Sequence, residues 1–303
     1  MNEAHTKIGL ALGSGIARGW AHIGVIHALE EAGYKADVLA GTSIGAVVGG
    51  CHQAGKLDEL EQFARSLTRR RMVGMLDFRF FSSGLLAGDK IKRLLETGLK
   101  DRTIESLPRD FISVTTELAT GHEIWLSKGR LVDALVASYA LPGVFQPVQQ
   151  NNRWLVDGAL VNPVPVSVCR AFGARLVIAV NLNQQVLGRG NLSSEPPQLA
   201  EPPPDHSHND NNQSAKKILT RKLFGTSRNM PGVSTVMLGA LNITQDRLTR
   251  SRLAGDPPDI TIAPRMGHIG LLEFDRAEEA ITLGYESARA SLPYIDEAMA
   301  LLS

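Results

Sequence analysis

Two short glycine-rich segments and one distant aspartate carry the residue types that acyl chemistry needs. Gly13-Ser14-Gly15-Ile16-Ala17-Arg18-Gly19 follows an apolar run, Ile8 to Leu12. Gly41-Thr42-Ser43-Ile44-Gly45 follows a second run and reads GxSxG. In a nucleophile elbow the central serine sits on a tight strand-to-helix turn, so the positions two before and two after must lack bulk. Gly41 and Gly45 meet that requirement, and Ala46, Gly49 and Gly50 continue into a helix of small residues. Such a turn lifts the Ser43 hydroxyl to the open edge of the sheet, with the dipole of the next helix aimed at it. A serine nucleophile also needs a base for its proton and N–H donors for the oxyanion. Turns after adjacent parallel strands lie side by side, so the backbone N–H groups of Gly13, Ser14 and Gly15 are the expected donors. Arg18 either steadies that loop or meets an anionic group, or else is a surface charge beside the loop. Asp157-Gly158-Ala159 follows Trp154-Leu155-Val156 and puts a carboxylate at a third strand end. Alone, Asp-Gly is a common turn dipeptide; beside the other two segments it is the candidate base.

Three other readings use the same residues. A dinucleotide-binding turn needs GxGxxG and an acidic residue at the carboxyl end of the second strand. The spacing here is GxGxxxG, and Asp37 stands at the beginning of that strand, not its end. An α/β-hydrolase triad in the order Ser43, Asp157, His268 fits that fold's chain order. It usually has several strands ahead of the nucleophile, however, and His268 in Met266-Gly267-His268-Ile269-Gly270 reads as a loop histidine. His22, His27 and His52 read as structural. An acyltransferase could intercept the same acyl-enzyme, but Thr42 stands where acyl-carrier transferases usually have histidine. A lipid-sensing protein on a hydrolase fold is the non-enzymatic alternative.

The elements that must position these residues follow from the apolar pattern. Short apolar runs alternate with amphipathic ones, as in an α/β fold with strands feeding helices. Strands are expected at Ile8–Leu12, Asp37–Ala40 and Arg175–Leu182, with an edge strand at Asp259–Ala263. Phe111–Leu118 and His122–Leu126 read as a hairpin. Helices are expected at Ala17–Ala32, Ile44–Ala54, Leu57–Leu67, from an Asp89 N-cap through Glu96, and at Arg130–Ala140, Ala215–Phe224 and Ser234–Arg252. A terminal helical region, Glu273 to Leu302, is expected to break near Pro293. Between Ser193 and Ser214 almost nothing is apolar, and five of the chain's 15 prolines fall there. That composition predicts a disordered loop.

Composition excludes several classes. The 303 residues carry 32 basic and 31 acidic side chains, which removes the electrostatic footprint of a nucleic-acid binder. Two distant cysteines, Cys51 and Cys169, exclude a disulfide framework and fit a reducing compartment. The longest uncharged apolar stretch, Val38 to Cys51, falls short of a spanning helix, and the N-terminal run is too short for a signal peptide. A cytoplasmic protein is expected. Two basic clusters, Arg65, Arg69, Arg70 and Arg71, and Lys216, Lys217, Arg221 and Lys222, fit either solvated helix faces or docking on an anionic membrane. Phe78, Phe80, Phe81, Leu85 and Leu86 fit an acyl-chain pocket or core.

Taken together, the segments resemble the patatin-like phospholipase family: a glycine-rich turn on the first strand (Gly13 to Gly19), an elbow on the second (Gly41, Thr42, Ser43, Ile44, Gly45), and an Asp157-Gly158-Ala159 turn over a hundred residues later. Ala137 to Pro142 and Asn162-Pro163 match as well, with Ser14 a departure where many relatives have glycine. The tail around Ala254 to Asp259 looks like the bacterial branch related to neuropathy target esterase, RssA-type proteins included. The resemblance implies a three-layer α/β/α fold with a mostly parallel sheet. A catalytic domain would span 8–170 and a helical extension of the same unit 171–303. It further implies a Ser43–Asp157 dyad without histidine, an acyl-enzyme, a lipid or acyl-ester substrate, and neither metal nor organic cofactor.

Overall fold

A computed structural model of the chain describes residues 6–67, 85–183 and 233–302. The basic residues at 69–71 and 216–222, the aromatic residues at 78–81, the helix expected at 215–224 and the polar stretch at 193–214 lie outside the described residues. So do the side chains of Leu85 and Leu86.

The strands are β1 (Ile8–Leu12), β2 (Val38–Thr42), β3 (Asp110–Glu117), β4 (Glu123–Leu126), β5 (Val148–Gln150), β6 (Arg153–Asp157), β7 (Leu176–Val180) and β8 (Ile260–Ile262). The helices are α1 (Ala21–Glu31), α2 (Ile44–Gln53), α3 (Leu57–Arg65), α4 (Leu85–Leu99), α5 (Leu131–Ser138), α6 (Val166–Ala171), α7 (Val233–Gly255) and α8 (Ala277–Leu302). Among the described residues the strands form one sheet in the order β5-β6-β3-β2-β1-β7-β8, with β4 also on β3. The run β3-β2-β1-β7-β8 is parallel; β4, β5 and β6 add an antiparallel margin.

Alternation along the strands splits the core into two layers. Ile8, Leu10, Leu12, Leu39, Phe111 and Ile178 face α1, α2, α3, α5 and α8. Ala11, Val38, Ala40, Ile112 and Val177 face α6, with Leu253 of α7 packed against that side. This is a three-layer α/β/α fold with a mostly parallel central sheet. Among the described residues no helix is long and apolar enough to cross a membrane.

Helices α1 and α8 meet almost backbone to backbone. A Cβ added at Gly24 would fall 1.9 Å from the Ile281 carbonyl oxygen, and one at Gly284 would fall 2.0 Å from that of Ala21. Gly24→Val should therefore push the helices apart, costing at least about 2 kcal/mol by overpacking against backbone that cannot rotate away. Urea denaturation of the variant beside the wild type measures this, and equal midpoints would refute it.

Four expected details change. Residues Ile16–Trp20 form a 3-10 turn before α1, because Ile16 has φ +51° and the Ala17 N–H turns to the Leu271 carbonyl. Asp89 lies inside α4, which begins at Leu85, and not at its N-terminus. The strand after Gly33 runs to Thr42 instead of ending at Ala40. Pro293 does not break α8: Ala288 and Ile295 are buried on either side of it, and that packing offsets the single backbone bond a proline removes.

Candidate active site

Three strands converge on one point because of register. Helically connected β2 pairs in parallel with the first half of β3, where Thr42 lies opposite Val114. Strand β6 pairs antiparallel with the second half, where Asp157 lies opposite Thr115. Strand β4 pairs with Ser113 to Thr116 and so takes the other edge of β3. Consequently β2 and β6 lie end to end along one edge and point at each other. Their last residues adjoin, and the residue after β2 is Ser43.

The Ser43 hydroxyl donates to Asp157 Oδ2 at 2.7 Å. Serine at a helix N-terminus commonly caps it, yet Ser43 makes no such bond from its side chain. Its backbone has φ 58° and ψ −122°, a region that L side chains rarely occupy and that persists only when the surroundings enforce it. Two contacts enforce it here. The Ser43 N–H donates to Ser138 Oγ at 2.8 Å, and that hydroxyl donates to the Val114 carbonyl at 2.6 Å. Gly45 lets α2 approach β1: a Cβ there would fall 2.2 Å from the Leu12 carbonyl oxygen.

Asp157 is 2% exposed. Its Oδ1 accepts the Ala159 N–H at 2.8 Å, closing the Asp-Gly-Ala turn, and its own N–H donates to the Ala140 carbonyl at 3.0 Å. Burial pushes the carboxyl up to about 7, against the lowering pull of the Ser43 and Ala159 bonds. Beyond the turn, the Asn162 carbonyl accepts the Thr42 hydroxyl and its side chain donates to Glu123, while Arg252 of α7 reaches both Glu123 and the Val161 carbonyl.

The first glycine turn follows β1 and so lies beside the elbow at the end of β2, but two of its expected donors are engaged. The Gly13 N–H donates to the Val180 carbonyl at 3.1 Å and the Ser14 N–H to the Pro163 carbonyl at 2.8 Å. Both are spent on holding the turn, so of the three expected donors only Gly15 keeps an N–H without a backbone acceptor among the described residues, as does Ile16 after it. Arg18 is buried, not a surface charge, and donates to the Ile269 carbonyl at 2.9 Å. With the Leu271 carbonyl taking the Ala17 N–H, segment 266–273 braces the turn.

The histidines are engaged elsewhere. His22 bonds Gly13, His27 bonds Glu61 and His268 bonds Glu279, while His52 faces Glu30. Asp157 meets the serine itself rather than orienting an imidazole. Ser138, Glu123 and Arg252 were not singled out by sequence reasoning; only Ser138 had a signal, as part of the Ala137 to Pro142 segment. Arg65, from the first basic cluster, is paired with Glu61 and Glu278.

The family model for patatin-like phospholipases matches residues 10–170. An uncharacterized NTE family protein of Mycobacterium tuberculosis is 34% identical, covering 94% of this chain and 91% of its own length. A lysophospholipase of Emericella nidulans is 27% identical over 92% of this chain, which spans 18% of that much longer protein. Among solved structures, VipD from Legionella pneumophila matches with a TM-score of 0.49 at 14% identity, covering 97% of this chain and 67% of that one.

Proposed function

Because the chain belongs to the patatin-like phospholipase family, we propose that it is a serine ester hydrolase acting on lipid acyl esters, of phospholipase A or lysophospholipase type. The observation that carries this reading is the 2.7 Å hydrogen bond from the Ser43 hydroxyl to a buried Asp157. Residues 8–170 form the catalytic domain in this reading, and 171–303 extend the same unit.

Ser43 Oγ attacks the ester carbonyl carbon as its proton passes to Asp157 Oδ2. The carbonyl oxygen becomes an oxyanion, received by the N–H groups of Gly15 and Ile16 and by the N-terminus of α2. Collapse breaks the bond to the leaving alkoxide, which takes the proton from Asp157, and leaves an acyl ester on Ser43. Water then attacks, giving one proton to Asp157. The second tetrahedral intermediate releases the fatty acid, and Ser43 recovers its proton. Protons move only among Ser43, Asp157, substrate and water, so the cycle calls on no metal or organic cofactor.

An ordinary carboxylate is a weak match for a serine hydroxyl, and a base works best with its pKa near the operating pH. Asp157, raised to about 7, meets that condition. It serves as base only when ionised, so kcat/KM should climb tenfold per pH unit below about pH 7 and level above it. A rate indifferent to pH between 5 and 8 would exclude Asp157 as the base.

Mass spectrometry of the intact protein after exposure to a fluorophosphonate tests the whole reading. One adduct on the wild type and none on Ser43→Ala is the expected result. Well-folded wild type that stays unlabelled would overturn the esterase assignment.

A further inference from the structure

Partners from three separate elements hold the first peptide of the glycine turn. Its N–H, that of Ser14, is taken by the Pro163 carbonyl at 2.8 Å, while the preceding N–H of Gly13 is anchored on Val180 of β7. Its carbonyl, Gly13 O, lies 2.7 Å from His22 Nε2 on α1. A carbonyl only accepts, so Nε2 carries the ring proton and Nδ1 is bare. The ring has no exposed surface, and Nδ1 is buried without a partner among the described residues. Burial pushes the imidazole down to about 4, which keeps it neutral at working pH. An apolar side chain would fill this place without the unmet Nδ1, but it would leave the buried Gly13 carbonyl without this donor. What the histidine supplies in exchange is one N–H donor, aimed at Gly13 O.

That donor has a consequence for the backbone that follows. The Gly13–Ser14 peptide is planar and is gripped at both ends, through its carbonyl by His22 and through its N–H by Pro163. Its plane sets the direction of the next residues, Gly15 and Ile16. Ile16 is held at φ +51°, a strained conformation for a β-branched residue that lasts only where neighbours impose it. The same carbonyl also abuts the elbow, since a Cβ at Gly45 would fall 2.7 Å from it.

We infer that His22 is a positioning residue, whose Nε2–H fixes the glycine turn through Gly13 O and thereby aims the Gly15 and Ile16 N–H groups at the oxyanion. The inference rests on the esterase reading above. His22 meets neither substrate nor Ser43; it acts through the turn alone.

His22→Leu removes the donor and His22→Gln keeps one of similar reach. The measurements are kcat and KM on p-nitrophenyl butyrate, the rate of fluorophosphonate labelling, and the melting temperature. In His22→Leu, kcat and the labelling rate should fall together by about 30-fold, because misaimed oxyanion donors cost the transition state and not the ground state. KM should stay within about twofold, and His22→Gln should recover most of the loss. A folded His22→Leu with wild-type kcat and labelling overturns the inference while leaving the esterase reading intact. So does a loss that both variants share or that falls on KM. An unlabelled wild type overturns both. If neither variant folds, nitrogen-15 spectra of the wild-type ring decide. A neutral Nε2–H tautomer from pH 5 to 8 supports the inference, and an Nδ1–H tautomer or an imidazolium in that range sinks it.

Discussion

Asp157→Asn should lose about 10³-fold in kcat and yet melt higher than the wild type at pH 8. The loss follows from the cycle: an amide cannot accept the Ser43 proton, though its oxygen can still take the Ala159 N–H and its nitrogen can face Ser43 Oγ. The gain follows from linkage. Burial raises the carboxyl from 3.8 to about 7 in the folded protein, so the folded state holds its proton more tightly than the unfolded state does. The stability associated with that proton is fully present below about pH 3.8. It drains away as pH rises, and above about pH 7 the folded protein carries a buried carboxylate at a cost on the order of 4 kcal/mol. Asparagine carries no such charge. The two proteins should therefore melt together near pH 4, separate between pH 4 and 7, and differ by about 5 °C above that. Calorimetry across this range measures it. A constant gap, or a less stable Asp157→Asn at pH 8, would mean that the buried carboxylate is not under electrostatic strain.

That prediction depends on a placement the sequence expresses only in part. The elbow is legible because its constraint is local: a tight turn at Ser43 demands small residues at Gly41 and Gly45, two positions away on either side. Asp157 is legible only as a turn residue. Its meeting with Ser43 requires β2 and β6 to share one edge of β3, and no local pattern records which edge a strand will take. Two of the expected oxyanion donors, the Gly13 and Ser14 N–H groups, are engaged for the same reason. Which N–H of a glycine turn stays free is decided by Val180 and Pro163, and both arrive more than a hundred residues later. Arg18 was ambiguous because its buried acceptor, the Ile269 carbonyl, lies 251 positions away. Ser138 is inconspicuous for a subtler reason. A serine near a helix end ordinarily bonds its own backbone, whereas this one bridges the Ser43 amide to β3. At Pro293 a sound local rule was overridden by packing, since Ala288 and Ile295 are buried on either side of it.

Replacing Ser43 should separate two costs that the elbow combines, chemistry and backbone strain. Ser43→Ala removes the nucleophile and should lower kcat by at least about 10⁴-fold. Adding Asp157→Asn to it should lower kcat no further, since residues acting as one unit do not contribute additively. The stability of the serine variants distinguishes the strain. Alanine retains a Cβ and so keeps the penalty of φ 58° and ψ −122°, while glycine occupies that region freely. Ser43→Gly should thus be as inactive as Ser43→Ala but more stable by about 1 kcal/mol, a margin that urea denaturation resolves. Both lose the hydroxyl whose hydrogen bond holds the Asp157 carboxyl down, so Asp157 should titrate higher in each than in the wild type. Equal stability of the two variants would show that the elbow stores no strain at Ser43. The ordering Ser43→Gly above Ser43→Ala would show that the fold keeps a serine in a glycine's conformation, a cost that only the chemistry of its hydroxyl accounts for.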